Sequence, residues 1–315
     1  MKRTMCVATG CMVLAVVAGL MIGCGGREDS TNGPRIALVM KARTNPFFAR
    51  MEAGAREAAE RTGAQLTVLS IERETDFDKQ AALIEDMVAQ GVDAILIAPA
   101  DSKAVVAPLM GAQSKGIYIV NLDNKIDAEV AGQAGLKVHC FVGPDNAAGA
   151  YKATRHLLER MGNQGEIAIL EGIRGVDNAE ARKRGFMQAV EEAGSAVQLV
   201  ASESAEWETE MAMEKANGIL QRFPDLAGLF CANDSMALGA IQAIAAAGKQ
   251  QQVKVAGYDN LEAARDAMAK GALECTVEQN PEAMGAIGLQ AALDLIAGKP
   301  VDSVVPVETE LITPE

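Results

Sequence analysis

Aromatic residues and histidines are scarce in this sequence. Aromatic side chains make up 3% of the 315 residues, and only two histidines are present. We interpret both, His139 and His156, as ordinary surface or core residues, which leaves little for general-base or metal chemistry near neutral pH. The sequence also lacks the glycine-rich dinucleotide motif, the phosphate-binding loop and the nucleophile elbow of hydrolases. We therefore predict no catalytic residue, no cofactor and no metal site.

The chain also has no excess of positive charge. The chain has 29 lysines and arginines against 42 aspartates and glutamates, a formal net charge of −13. A nucleic-acid-binding protein needs a basic face to displace counterions, so we exclude that class. Hydrophobic residues account for 49% and charged residues for 23%, as in ordinary soluble proteins. A chain of 315 residues is long enough for two domains.

The N-terminal segment is the longest stretch without charge. Two basic residues precede residues 5–23, which are uncharged, and the stretch leads into Leu-Met-Ile-Gly-Cys. That ending resembles a bacterial lipobox, whose cysteine is lipidated on removal of the signal peptide. We predict a lipoprotein signal peptide over residues 1–24, lipidation at Cys24 and a flexible tether over residues 25–34. A cleaved signal peptide without lipid and a retained membrane anchor are the alternatives.

Three cysteines remain beyond the predicted tether. Cys140, Cys231 and Cys275 each lie in or beside an apolar stretch, and their spacing does not fit a zinc site. We interpret them as buried thiols that behave as small hydrophobic residues. One disulfide among them remains open if the compartment is oxidising.

From residue 35 onward, short apolar runs alternate with amphipathic segments. The runs are unbroken rather than alternating with polar residues, which indicates parallel strands covered on both faces. About ten such strand–helix units are too many for one six-stranded sheet. Two open parallel sheets are favoured over an eight-stranded barrel, because the polar segment 127–137 interrupts the pattern near its middle. The predicted fold class is α/β.

Polar and aromatic residues follow many of the predicted strands. In open parallel sheets, ligands bind in the crevice beyond the carboxyl ends of the strands. Taken singly, residues of this kind also fit helix caps, as at Asn45, Asp234 and Asn280. Because such polar and aromatic residues follow many of the predicted strands, we predict that they form one shared binding site. The candidate ligand-binding residues are Lys41, Asn45, Phe47, Phe48, Asp123, Asn124, Arg182, Trp207, Asn233, Asp259 and Gln279.

The chemistry of this set favours a sugar. Amide, carboxylate, ammonium and guanidinium groups hydrogen-bond hydroxyls, and flat aromatic faces suit the C–H faces of a pyranose ring. Lys41 and Arg182 offset Asp123 and Asp259, so the charged members sum to zero. A neutral polyol fits this balance better than a phosphate or carboxylate ligand. The two aspartates could also be a glycosidase pair, but no other feature supports that interpretation.

Several short motifs occur along the chain in the same order as in one known family. They are Ile36-Ala37-Leu38-Val39 with Asn45-Pro46-Phe47-Phe48, Asn121-Leu122-Asp123, Ala181-Arg182 with Gly185-Phe186, Ala205-Glu206-Trp207, Ala232-Asn233-Asp234-Ser235-Met236-Ala237-Leu238-Gly239, Gly257-Tyr258-Asp259 and Gln279-Asn280-Pro281. With them, the chain from residue 35 to the end resembles the type 1 periplasmic sugar-binding proteins of ABC importers, the ribose-binding group. Lys41 and the segment 115–127 resemble the allose-binding members of that group.

The resemblance implies a periplasmic-binding-protein type 1 fold, with two doubly wound domains joined by a hinge. One domain would comprise residues 35–140 plus 280–308, and the other residues 141–279 plus 309–315. It also implies that the polar candidates hydrogen-bond the sugar and that the aromatic candidates Phe47, Phe48 and Trp207 sandwich it. Closure of the hinge would trap the sugar.

The implied function is a substrate-binding lipoprotein of the periplasm or cell envelope. It would deliver a neutral monosaccharide, D-allose or D-ribose before others, to the transmembrane subunits of an ABC permease. We expect a monomer that contacts the membrane only through its lipid, with a chemoreceptor as a possible further partner. The choice between pentose and hexose stays open. The rivals are a transcriptional regulator, which would need an N-terminal helix-turn-helix, a sugar-modifying enzyme, and a same-fold binder of a quorum signal or nucleoside.

Overall fold

The computed structural model describes residues 33–314, in which strands and helices alternate along most of the chain. The strands are β1 Arg35–Met40, β2 Gln65–Ser70, β3 Ala94–Ile97, β4 Tyr118–Leu122, β5 Cys140–Pro144, β6 Gly165–Glu171, β7 Val197–Ser204, β8 Leu226–Cys231, β9 Lys254–Ala256, β10 Thr276–Glu278, β11 Val304–Val307 and β12 Glu310–Ile312. The helices are α1 Pro46–Thr62, α2 Phe77–Gln90, α3 Val106–Ser114, α4 Ala128–Ala134, α5 Asn146–Arg160, α6 Asp177–Ala193, α7 Thr209–Arg222, α8 Asp234–Ala246, α9 Glu262–Ala269 and α10 Pro281–Ile296. The predicted α/β class is confirmed.

Two parallel sheets organise the described part of the chain. The larger has the order β11-β5-β4-β3-β1-β2 and the smaller the order β7-β6-β8-β9. In each sheet the strand order reverses once, beside β1 in the larger and beside β6 in the smaller. Crevices at such switch points are where doubly wound sheets bind ligands. We call the sheets, with the loops and helices attached to them, the first half and the second half.

The C-terminal segment crosses between the halves. Strand β11 pairs with β5 in the larger sheet, whereas β12 pairs in antiparallel fashion with β10. The strand β5 also pairs with β4, so it belongs to the larger sheet. The predicted domain boundary between residues 140 and 141 therefore falls inside β5. The whole of β5, as far as residue 144, belongs to the larger sheet.

The first sheet is covered on both faces, as its unbroken apolar runs predicted. In β1, Ile36, Leu38 and Met40 join one hydrophobic cluster, while Ala37 and Val39 join the cluster on the opposite face. All five side chains are fully buried. Burial on both faces is what requires a continuous apolar run rather than an alternating one.

Helix α1 shows how local sequence places the first site residues. The Oδ1 atom of Asn45 accepts a hydrogen bond of 3.1 Å from the backbone N–H of Phe47, and Pro46 occupies the first helical position. Further along, α1 lies directly against α10, because Gly285 has no side chain there. A Cβ atom on Gly285 would lie 2.1 Å from the carbonyl oxygen of Met51.

The three described cysteines, Cys140, Cys231 and Cys275, are free and buried. Burial raises the pKa of each thiol, as expected for small core residues. Within residues 33–314, none of the helices is both long and apolar enough to cross a bilayer. The predicted signal peptide, tether and lipidation site at Cys24 lie outside the described residues, apart from the last two tether positions.

Candidate ligand-binding site

A cavity lies where the loops of the two halves meet. Its walls contain every predicted ligand-binding residue except Asn124, together with two residues that sequence reasoning missed, Glu74 and Asn178. The lining residues are Lys41, Asn45, Phe47, Phe48, Glu74, Asp123, Asn178, Arg182, Trp207, Asn233, Asp259 and Gln279.

Each wall is built from segments that follow parallel strands. The first wall, from the first half, comes from the loop after β1, the start of α1, the β2–α2 loop and the residue after β4. The second wall, from the second half, comes from α6, the β7–α7 loop and the residues after β8, β9 and β10. Parallel strands bring these carboxyl ends to one edge, so distant sequence positions converge.

Arg182 is the centre of the second wall. Its Nε donates to Oδ1 of Asn146 at 2.8 Å, its Nη1 to the carbonyl oxygen of Ala232 at 2.6 Å, and its Nη2 to Oε1 of Gln279 at 3.1 Å. Its Nη1 also lies 3.6 Å from Oδ1 of Asp259. The guanidinium is 3% exposed, which is incompatible with a surface helix residue paired with a neighbour.

Gln279 and Asn233, also on the second wall, are bonded to protein atoms as well. The Nε2 of Gln279 donates to Oδ1 of Asp259 at 2.6 Å. The Nδ2 of Asn233 donates to the carbonyl oxygen of Trp207 at 3.3 Å, and its Oδ1 accepts from the backbone N–H of Met236 at 2.9 Å. These bonds fix the orientation of the wall independently of a ligand.

Lys41 is the cation of the first wall. Its Nζ lies 3.6 Å from Oδ2 of Asp123 and 3.8 Å from Oε2 of Glu74. It also faces the rings of Phe48 and Trp207, at 5.8 Å and 5.9 Å from their centroids. These separations give electrostatic attraction but exceed hydrogen-bond length. The ammonium group therefore keeps its donors directed at the cavity.

Glu74 changes the predicted charge balance. Two cations, Lys41 and Arg182, now face three carboxyl groups, those of Glu74, Asp123 and Asp259. Burial raises the pKa of Glu74, although Lys41 and the hydrogen bond from Asn45 oppose the shift. Burial also raises the pKa of Asp259 well above its usual range, against the attraction of Arg182. Burial therefore disfavours the charged form of both carboxyl groups.

The aromatic residues form apolar surfaces on both walls. Phe47 and Phe48 contact edge to face, with ring centroids 5.1 Å apart. Trp207 contributes from the second wall and is buried. Its indole lies against Gly172, where an added Cβ would come within 2.0 Å of the ring.

Three cavity residues have left-handed backbone conformations. The φ angles are 59° at Asp123, 71° at Trp207 and 122° at Asp259. Aspartate tolerates positive φ better than most residues, but a tryptophan there is uncommon. Unfavourable backbone conformations tend to cluster at functional sites, where the surrounding structure holds them in place. Three such residues around one cavity make it the candidate functional site.

Asn124 lies beside the cavity instead of in its wall. Its Nδ2 donates to the carbonyl oxygen of Pro99 at 3.0 Å and to Oγ of Ser102 at 3.3 Å. Its Oδ1 accepts from the backbone N–H of Asn178, in the second half, at 3.1 Å. The side chain is turned away from the cavity because these three partners engage both of its ends.

The two missed residues had weak sequence signals. Glu74 lies in a charged loop that follows β2, so it is typical of an exposed position. Asn178 precedes Arg182 by four residues on α6, and residues four apart share one face of a helix. That spacing is the signal that could have identified Asn178.

Of the three residues interpreted as possible helix caps, only Asn45 makes a side-chain cap bond. Asn45 caps α1 and also lines the cavity. At α8 the cap is Asn233 rather than the predicted Asp234. Burial raises the pKa of Asp234 to about 6, and its carboxylate accepts hydrogen bonds from Thr276 and Leu261. Asn280 makes no cap bond, since its Nδ2 donates to the carbonyl oxygen of Glu308.

Metal-binding chemistry has no counterpart in the described chain. Across residues 33–314, no three or more histidine, cysteine, aspartate or glutamate side chains are grouped in a way that could hold a metal ion. The cavity instead combines hydrogen-bonding side chains of both signs with aromatic faces.

Comparison with known proteins points to one family. Residues 36–300 match the model of the periplasmic binding protein domain. The chain is 41% identical over 291 residues to the D-ribose/D-allose-binding protein of Pseudomonas aeruginosa, covering 90% of each chain. It is 37% identical over 282 residues to the D-allose-binding periplasmic protein of Escherichia coli, covering 89% of this chain and 90% of that one.

A solved structure agrees with these matches. The periplasmic solute-binding protein of an ABC transporter from Actinobacillus succinogenes, solved with bound D-allose, superposes with a TM-score of 0.85 and 40% identity. The match covers 89% of this chain and 97% of that one. All three relatives are binding proteins, and none is an enzyme. This chain therefore belongs to the periplasmic binding protein domain family, as its resemblance to the sugar-binding proteins of ABC importers predicted.

Proposed function

We propose that this protein is the substrate-binding component of a sugar ABC importer and captures a neutral monosaccharide in the cavity. The observation that carries the proposal is the composition of the walls, in which donors and acceptors from both halves surround a small space between aromatic faces. A single sugar ring is a ligand of suitable chemistry.

D-Allose, followed by D-ribose, is the ligand we propose. Two relatives are named for binding D-allose, and the solved structure from Actinobacillus succinogenes holds it. The Pseudomonas aeruginosa relative is named for both sugars. Lys41 supports the same choice, because its buried ammonium can donate to more than one ring substituent.

Capture proceeds by closure of the two halves around the sugar. A ligand that contacts both walls binds the closed state more tightly than the open state and so shifts the population toward closure. Hydrogen bonds between the halves support this proposal: the backbone N–H of Asp177 donates to Oγ of Ser102 at 3.1 Å, and that of Asn178 donates to Asn124. In this proposal the two halves correspond to the predicted domains.

The closed protein then docks on the transmembrane subunits of its permease, and a chemoreceptor is a further candidate partner. We propose that the protein is a monomer held in the periplasm or cell envelope by a lipid on Cys24. A Cys24→Ser variant should accumulate as an unlipidated precursor in a palmitate-labelling experiment. Labelling of this variant to the normal extent would contradict the lipoprotein proposal.

Calorimetric titration with D-allose, D-ribose, D-xylose, D-galactose and D-glucose tests the ligand. We expect saturable binding at one site per chain, tightest for D-allose or D-ribose. Binding of an anion or a purine nucleoside, without binding of an aldose, would overturn the proposal. Recovery of the bound sugar unchanged after prolonged incubation separates a binding protein from a sugar-modifying enzyme.

A further inference from the structure

Asn178 presents an unsatisfied amide to the cavity. The residue is 3% exposed and lines the cavity near the N-terminus of α6. Its side-chain Oδ1 is buried and has no hydrogen-bond partner within the protein. Leaving a buried acceptor unpaired is costly, so a ligand that supplies a donor at this point gains affinity.

The position of this side chain is fixed from both halves. Its backbone N–H donates to Oδ1 of Asn124, and Asn124 is itself held by the carbonyl oxygen of Pro99. The preceding residue, Asp177, is held in the same way by Ser102. The first turn of α6 is thus anchored to the first half in the closed arrangement. Because only backbone atoms of Asn178 take part, its side chain remains available to a ligand.

Other polar groups of the cavity differ in what they can offer. Asp123, on the first wall, also has a buried oxygen without a partner. On the second wall, the side chains of Arg182 and Gln279 are already bonded to protein atoms. The fully buried acceptors of the cavity without a protein partner therefore lie one on each wall, at Asp123 and Asn178, and Nε1 of Trp207 is a buried donor without one. Two acceptors call for a ligand with at least two hydroxyl donors.

We propose that Asn178 is a ligand-contacting residue that determines specificity: its Oδ1 accepts a hydrogen bond from one hydroxyl of the bound sugar and selects sugars that carry that hydroxyl. This inference rests on the proposed function and adds one contact to it. Asn124 acts in this arrangement as a positioning residue, because it holds the backbone of Asn178.

A set of monodeoxy derivatives of D-allose, which together remove each hydroxyl in turn, tests the contact. Calorimetry would give the affinities of the wild-type protein and of Asn178→Ala for every member of the set and for D-ribose. Replacement by alanine should weaken D-allose binding about tenfold. One deoxy derivative should bind both proteins equally, because its missing hydroxyl is the partner of Asn178. The other derivatives should keep the tenfold difference.

Matched measurements separate a ligand contact from a structural role. The melting temperature without sugar should be unchanged in Asn178→Ala, because the bond to Asn124 uses the backbone. Asn217→Ala, a half-buried asparagine on α7 outside the cavity, should leave all affinities unchanged. Asn178→Ser is the second variant and should show the same pattern if the alanine variant folds poorly.

Two results would overturn the inference while leaving sugar binding intact. One is an affinity change below twofold for every sugar. The other is an equal loss for every deoxy derivative, which would indicate a structural role of the side chain. Absence of sugar binding by the wild-type protein would instead overturn the proposed function, and this inference with it.

Discussion

The two walls of the cavity hold their charged groups in different ways. On the second wall, the guanidinium of Arg182 makes three hydrogen bonds to protein atoms within 3.1 Å. On the first wall, the ammonium of Lys41 comes no closer than 3.6 Å to its carboxylate partners, and one oxygen of Asp123 is unpaired. The charged groups of the second wall are therefore held by hydrogen bonds to the protein, whereas those of the first wall keep hydrogen-bonding capacity for a ligand.

This difference separates folding stability from ligand affinity. A side chain that is bonded to the protein contributes to both when it also contacts the ligand. A side chain that is buried without a protein partner lowers the stability of the fold, and this loss is offset only when a ligand forms a hydrogen bond with that side chain. Substitutions on the two walls should therefore change the two quantities in different proportions.

The largest effect is expected for Arg182→Ala, which should lower both the stability of the fold and the affinity for the sugar. The affinity for the best sugar should fall by about two orders of magnitude, since bonds to charged groups in a dry cavity contribute about 1.5–3 kcal/mol each. Stability without sugar should fall by about 2–3 kcal/mol, because a buried pair is broken while Asp259 can take up a proton. Calorimetry and urea unfolding measure the two changes.

Arg184→Ala is the matched control for this variant, because Arg184 is an exposed arginine on the same helix. It should change neither the affinity nor the stability appreciably. An affinity loss below about threefold in Arg182→Ala would show that the cavity is not the binding site.

A smaller and more selective effect is expected for Asp123→Asn, on the first wall. Affinity should fall about tenfold or more, because a charge-assisted bond to the sugar becomes a neutral one. Stability without sugar should fall less than in Arg182→Ala, because the change removes the ion pair with Lys41 at 3.6 Å but no hydrogen bond to the protein. Asparagine also tolerates the left-handed backbone at this position, so the fold is not strained by the change.

The control is Asp225→Asn, which makes the same chemical change at an exposed position. Equal losses of stability in Asp123→Asn and Arg182→Ala would contradict the contrast between the walls.

The sequence was sufficient to predict the elements and most of the cavity because both depend on local patterns. Unbroken apolar runs indicated parallel strands, and residues just after those runs, such as Asp123 and Asn233, converge at the strand ends for topological reasons. Asn178 and Glu74 could not be found by the same rule. One lies within a helix and the other in a charged loop, and only the packing of the two halves brings them to the cavity.

Asn124 illustrates the opposite case, a predicted residue that the structure places outside the cavity wall. It follows a strand directly and was predicted to bind the ligand, but left-handed Asp123 turns the chain at that point. Asn124 is consequently directed at Pro99, Ser102 and the backbone of Asn178. A rule based on sequence position cannot distinguish such neighbours, because their orientation depends on one backbone angle.

The smallest effect is expected for the loss of a hydrogen bond that joins the two halves outside the cavity walls. Ser102 lies outside the cavity lining and its Oγ accepts a hydrogen bond from the backbone N–H of Asp177 across the two halves. Removing this hydroxyl in Ser102→Ala should weaken the closed state by about 0.5–1.5 kcal/mol, the usual net contribution of one hydrogen bond, because its second bond, from Nδ2 of Asn124 at 3.3 Å, lies within the first half. Because sugar binds the closed state, the apparent affinity should fall about fivefold for every sugar, with no change in the order of preference.

Calorimetry with D-allose and D-ribose measures the affinity change, and small-angle X-ray scattering with and without sugar measures closure. Ser114→Ala is the control, since the hydroxyl of Ser114 donates within one half to the carbonyl oxygen of Gly111. A change in the ratio of the two affinities in Ser102→Ala would mean that Ser102 influences the cavity itself. An unchanged affinity would mean that the bond between Ser102 and Asp177 does not contribute to closure.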